Sequence, residues 1–224
     1  MLILAVDTAG PMCAACIYDT ANETFLSSIS EEIGRGHAEV LPSIVERALN
    51  HANLDFSDLS LLAVSEGPGS FAGIRVGISF IRALALALNI PSIGISSLIA
   101  MAHATCETAS QNALAAIDAR RGEIYLAVVD SNGSVVIEPA KYSVEDANML
   151  VSNCKYVLCG NGVGVLETDN CQIAHQNASA PIEMIAKLAV QKLEASGNQI
   201  KPPKAQYLRA ADAKKQAGFV LDRL

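Results

Sequence analysis

The chain has 224 residues, 51% hydrophobic and 17% charged, with aromatics at 4% and no Trp; this supplies a core for one large domain or two small ones sharing an interface, and excludes disorder. With 16 basic against 23 acidic residues the formal charge is −7 and no basic block stands out, which argues against a chain that grips nucleic acid unaided. Met1-Leu2-Ile3-Leu4-Ala5-Val6 lacks a basic flank and Arg75 and Arg82 interrupt the most apolar stretch, so a cytoplasmic protein is expected, with its six cysteines (13, 16, 106, 154, 159 and 171) reduced.

In chain order, residues 2–6 read as a short apolar strand ending in Asp7-Thr8, residues 12–18 as a second and residues 23–30 as a third. Joined by short turns, they make an antiparallel meander. Cys13 and Cys16 have redox-like spacing, but strand residues three apart point to opposite faces, which favours a buried or half-buried thiol pair. A helix follows Gly36-His37 and runs to about Ala52, with Leu41, Ile44, Val45, Ala48 and Leu49 on one face and Pro42 in its early turns. His37-x-Glu39 is read as a solvated helix start before a ligand pair.

Residues 59–65 form the next strand, and after it comes Ser65-Glu66-Gly67-Pro68-Gly69-Ser70-Phe71-Ala72-Gly73-Ile74-Arg75-Val76-Gly77. Gly67 and Gly69 open backbone angles closed to other residues, Pro68 stiffens the turn, and Ser70 suits the N-cap of a following helix. Two readings are open: a turn that holds an anion at a helix N-terminus, or one that tucks the helix against its sheet, with Gly73 and Gly77 as a flat strip for close backbone approach. No Lys follows the glycines, and the spacing matches neither phosphate fingerprint. The helix, residues 71–88, has only Arg75, Ser79 and Arg82 as strongly polar side chains, on one narrow stripe. A sheet covers one apolar face; this helix has nearly three, so it calls for a second helix, a second domain or another protein.

After a strand at 91–95, the second half repeats the pattern: strand 113–117 ending in Asp118, strands 124–129 and 135–142, a short helix from Ser143 and a strand at 156–159. Cys159-Gly160-Asn161-Gly162-Val163-Gly164 looks like a dinucleotide loop, but the spacing is wrong and no adequate helix follows. A helix at 181–195 and a polar, basic tail that frays complete the chain. Meander, helix, strand, helix, strand is the ordering of the ribonuclease H-like unit of actin-like ATPases, so the expected fold is α/β, two such subdomains, the second incomplete. Residues 1–100 would form the first, with the two helices of 38–52 and 71–88, and 101–224 the second, with the C-terminal helix and tail. Asp7 and Thr8, with Asp118 in the matching place, are the candidates for a vestigial nucleotide site. Glu66 and Asp118 also sit beside turns, where carboxylates accept backbone bonds for structural reasons. The four histidines include no pair at helical ligand spacing, so neither a metal site nor a cofactor is expected.

The Gly-Pro-Gly-Ser-Phe-Ala-Gly-Ile-Arg-Val-Gly stretch resembles the signature of the TsaB (YeaZ) family of bacterial tRNA threonylcarbamoyladenosine biosynthesis proteins, with Ala72 and Ile74 where Thr and Leu are usual. Gly36-His37-Ala38-Glu39-Val40-Leu41-Pro42, Asp118-Ala119-Arg120-Arg121-Gly122-Glu123-Ile124-Tyr125 and Tyr207-Leu208-Arg209 are similar to three further segments of that family, with Ala205 replacing a usual Pro. In order with Asp7-Thr8, they span nearly the whole chain. The resemblance implies a catalytically silent paralogue of the metal-bearing TsaD transferase, pairing with it through two helices in a four-helix bundle. It also implies homodimers through the same surface, the ATPase TsaE as third subunit, and threonylcarbamoyl-adenosine at position 37 of tRNA as product. Carried onto this chain, the interface would use Leu41, Val45 and Leu49 from residues 38–52 and Ile74, Ile78, Ile81 and Ala85 from residues 70–88, and Ile78→Glu would abolish pairing while sparing the fold. The competing expectations are a nucleotide-dependent kinase, ATPase or glycopeptidase-like enzyme using Asp7 and the glycine turn, and a structural homodimer with an unrelated client.

Overall fold

The computed structural model describes residues 1–152, 155–169, 171–197 and 200–209. Cys154 and the tail beyond Arg209 lie outside the described residues. Strands β1 (Leu2–Asp7), β2 (Met12–Asp19) and β3 (Thr24–Glu32) form the antiparallel meander; α1 (His37–Ala52), β4 (Leu61–Gly67), α2 (Phe71–Leu88) and β5 (Ser92–Ser96) follow. The sheet order is β3-β2-β1-β4-β5, with β1, β4 and β5 parallel.

After α3 (Ser97–Ala109) the arrangement recurs in β6 (Ala113–Arg120), β7 (Glu123–Val129), β8 (Val135–Ser143), α4 (Val144–Val151), β9 (Val157–Cys159) and β10 (Ile173–His175). The second sheet runs β10-β9-β6-β7-β8, which is the first order read from the other side. Its five strands are complete; what shrinks is the helical layer, to the eight residues of α4 and a 3-10 turn at Asn161–Val165.

Each sheet is apolar on both faces, and the cores follow from that. The outer face of the first sheet is covered by α1 and α2, that of the second by α4, and α3 with α5 (Ile182–Ala195) fills the space between. Helix α5 follows the second sheet in the chain but packs on β1, β2, β4 and β5 of the first and on α3. Helix α3 crosses residue 100 and is missing from the sequence reading. Buried residues face both sheets (Leu98, Ala100, Met101, Ala102, Thr105, Cys106), so the polar stripe that marks an amphipathic helix is reduced to His103, Glu107 and Thr108 near its end. The three-residue β10 was also missed; too short to alternate, it is held by parallel pairing to β9.

Cys13 joins the outer core and Cys16 the inner one, as strand alternation requires. Burial, helped by Asp7 and Glu31, pushes the Cys13 thiol up to about 11. Burial also drives Cys16 up, and both are inert structural thiols at neutral pH.

Candidate functional site

The corner between β4 and α2 is built on contact with the end of β1. Ser70 caps α2, its hydroxyl accepting from the Gly73 amide at 3.3 Å. The Thr8 hydroxyl donates to the Gly73 carbonyl at 2.7 Å, and the Ser70 amide to the Ala9 carbonyl at 2.6 Å. A Cβ at Gly73 would overlap the Thr8 carbonyl oxygen, and one at Gly69 the Ala9 carbonyl oxygen. Gly67, at the end of β4, has φ 92°, in the left-handed region, and precedes Pro68. The first turn of α2 therefore lies directly on the backbone of residues 8 and 9. The Ser70 amide, which an anion would need, faces a carbonyl instead. The second half does the same: a Cβ at Gly160 or Gly162 would collide with Ala116 or Ile117 backbone, which is why the 159–164 loop is rich in glycine.

Asp7 is 1% exposed. Its Oδ1 accepts from the Ala9 amide at 2.9 Å and from the Ser65 hydroxyl, while Oδ2 is buried without a hydrogen bond. Burial raises its pKa, against the opposing pull of Ser65, Ala9, His37 and Thr8. A carboxyl whose folded pKa lies above its unfolded value supports folding in acid and loses that support as pH rises through the folded pKa. Asp7→Asn, neutral throughout, should therefore exceed wild type in urea midpoint near neutral pH, the gain vanishing as pH falls below the ordinary carboxylate value; a pH-independent difference would contradict this.

Asp118 is more open. Its Oδ1 accepts from the Arg120 amide at 2.7 Å, and its own amide donates to Asn161 Oδ1 at 3.2 Å. No hydrogen bond or ion pair joins it to Asp7 among the described residues. His37 is buried, its Nε2 donating to the Met12 carbonyl at 3.2 Å, which corrects its reading as a solvated helix start. Among the described residues no three His, Cys, Asp or Glu side chains gather as metal ligands.

The expected interface residues need correction as well. Leu41, Val45, Leu49, Ile74, Ile78 and Ile81 are all buried in the outer core of this chain, and only Ala85 is half-buried. The most regular apolar stripe of each helix is its own core face, so Ile78→Glu would disrupt the fold instead of testing a partner. The outer face of α2 consists of other residues: Phe71, Ala72, Ser79, Arg82, Ala83, Leu86 and Ala87 are exposed, Leu86 at 85%. Only 28% of α2 is buried.

Beside it lies a cluster that the sequence did not reveal. Arg75 stacks over the Phe71 ring at 3.7 Å and donates from Nε to the Tyr207 hydroxyl at 3.0 Å; the two rings lie 5.5 Å apart. The Lys204 amide donates to Glu66 Oε1 at 2.6 Å and the Gln206 amide to the Glu66 carbonyl at 2.8 Å. Arg209 donates to the Arg120 carbonyl at 3.3 Å and pairs with Glu123. Three motifs far apart in sequence thus meet, tying the start of α2 to the β6–β7 hairpin through residues 204–209.

Two sheets of one strand order, each opening on a strand that carries an aspartate at or near its end, Asp7 and Asp118, define a duplicated ribonuclease H-like fold of the actin-like ATPase class. The family described as TsaD, tRNA N6-adenosine threonylcarbamoyltransferase, matches residues 26–217. The chain belongs to this family, and to its TsaB (YeaZ) branch. It is 38% identical to the tRNA threonylcarbamoyladenosine biosynthesis protein TsaB of Escherichia coli K12 over 136 residues, 59% of this chain and 58% of that one. To the TsaB of Buchnera aphidicola from Schizaphis graminum it is 29% identical, over 75% of this chain and 82% of the relative. YeaZ from Pseudomonas aeruginosa superposes with a TM-score of 0.77 at 26% identity, covering 92% of this chain and 100% of that one. The chain spans a little over half the length of the Escherichia coli and Haemophilus influenzae relatives, at 58% and 54%.

Proposed function

We propose that the chain is a non-catalytic accessory subunit, which pairs with a TsaD transferase through the outer face of α1 and α2. Pairing activates formation of N6-threonylcarbamoyladenosine at position 37 of tRNAs that read codons beginning with A. The observation that carries this is α2, an 18-residue apolar helix with 28% of its length buried. Such an exposed face marks an interaction site. By length and composition α2 could cross a membrane, but Gly73, Ile74, Gly77, Ile78 and Ile81 are fixed in the core, so a protein is the fitting cover. Ala72, Ser79 and Ala83 are small and exposed, which lets a second helix approach closely.

The partner-binding helices belong to the subdomain of residues 1–100, and the same face serves a homodimer when the chain is alone. TsaE joins as third subunit in the cytoplasm, and with a formal charge of −7 the chain meets tRNA only through the complex. A nucleotide-dependent enzyme is the alternative, and the unpartnered Oδ2 of Asp7 speaks for it. Against it, Thr8, Ser70 and Gly73 are engaged with one another and with Ala9. The deciding experiment adds the isolated chain to TsaD, its activated threonylcarbamoyl donor and tRNA. Turnover should rise by an order of magnitude or more; unchanged turnover, with Mg-ATP binding that is lost on Asp7→Ala, would favour the enzyme.

A further inference from the structure

Helix α2 carries two cations, Arg75 and Arg82, and no acidic residue. Arg75 is held by Phe71 and Tyr207. Arg82 is exposed and makes no ion pair among the described residues. It stands one turn from Leu86, and the two line a groove of about 390 Å³ with Ala85, Ile90, Pro91 and Pro202. The groove is a slot for an apolar side chain, with one guanidinium at its rim.

We infer that the partner seats a helix whose large apolar side chain fills this groove and whose carboxylate, one turn away, is bound by Arg82. This rests on the pairing proposed above. A guanidinium on an apolar wall is weakly hydrated and forks onto a carboxylate, and an aspartate or glutamate there answers it at least desolvation cost. Nucleic acid would call for a row of cations along the groove, and among the side chains that line it Arg82 is the one cation, the rest being apolar apart from Ser92. A second copy is the poorer match, since its α2 brings the same two arginines and no acid, and Glu39 and Glu46 on its α1 have no exposed large apolar side chain three or four positions away to fill the groove. The occupant is therefore a different chain, the paralogous transferase, with the apolar and acidic residues three or four apart.

The test titrates the full chain with TsaD at low and high salt, comparing wild type, Arg82→Met, Arg82→Lys and Leu86→Glu. Arg82→Met should lose about tenfold in affinity at low salt and most of the salt dependence, while Arg82→Lys keeps the dependence. If Leu86→Glu abolishes pairing but Arg82→Met binds like wild type with an unchanged salt slope, the carboxylate contact is refuted and the pairing survives. Should Leu86→Glu also bind normally, both fall. Salt-sensitive self-association lost with Arg82→Met, without an effect on TsaD binding, would assign the groove to a second copy and overturn the inference.

Discussion

Leu86→Glu should weaken pairing with TsaD by about a hundredfold or more while leaving the fold intact. Leu86 is 85% exposed in the single chain, so a charge there meets water, and the urea midpoint should move by no more than about 0.5 kcal/mol in stability. Once a partner helix covers the face, the same charge is buried among Ala83, Ala87 and the groove, where pairing with Arg82 one turn away leaves the partner's own carboxylate unpaired instead. An unpaired charge in such a place costs about 3 to 5 kcal/mol, which is a hundredfold or more in affinity. Calorimetric titration checks the first half and urea unfolding the second. Equal affinity in the variant would remove α2 from the interface.

Gly73→Ala should strongly destabilise the fold. The added methyl group would occupy the Thr8 carbonyl oxygen, and that oxygen is backbone of the buried β1 end, with no flexible side chain to swing aside. Relief requires α2 to lift from the sheet, breaking the Thr8 to Gly73 and Ser70 to Ala9 hydrogen bonds. Overpacking of about 1 to 3 kcal/mol and a comparable penalty for each buried polar group left unpaired add to about 3 kcal/mol or more. Urea unfolding should show it, and the loosened α2 should also lose partner affinity. A midpoint equal to wild type would mean that the corner is slack and that the close approach is not what holds the helix.

Local signals in the sequence were readable because each has a local cause. The aspartate at the end of β1, the glycine corner, the Ser70 cap and the surplus of apolar surface on α2 all follow from residues within one or two turns of each other. Which side of α2 that surplus occupies did not follow, because both sides are apolar: Ile74, Ile78 and Ile81 look as adhesive in one dimension as Ala83 and Leu86. Only the glycine contacts with Thr8 show which side lies on the sheet. The same applies to α1, whose periodic Leu41, Val45 and Leu49 mark its core face.

Helix α3 escaped for the opposite reason. Packed against both sheets, it keeps polar side chains open only toward its C-terminal end, at His103, Glu107 and Thr108, too short a stretch to set a period. The Phe71, Arg75 and Tyr207 cluster is assembled across 132 residues, a distance at which sequence order carries no contact information. The Tyr207-Leu208-Arg209 motif could be matched to a family, but its physical task, tying the start of α2 to Arg120 and Glu123, became visible only in three dimensions.

Whether the bare side of α2 is covered in the working protein can be measured by sedimentation of the full chain mixed with TsaD, alongside carbene footprinting of both proteins apart and together. A single one-to-one species in which labelling of Ala83 and Leu86 collapses, while that of Met149 on α4 stays constant, is the predicted result. Two separately sedimenting proteins with Ala83 and Leu86 labelled as strongly as before mixing would contradict it.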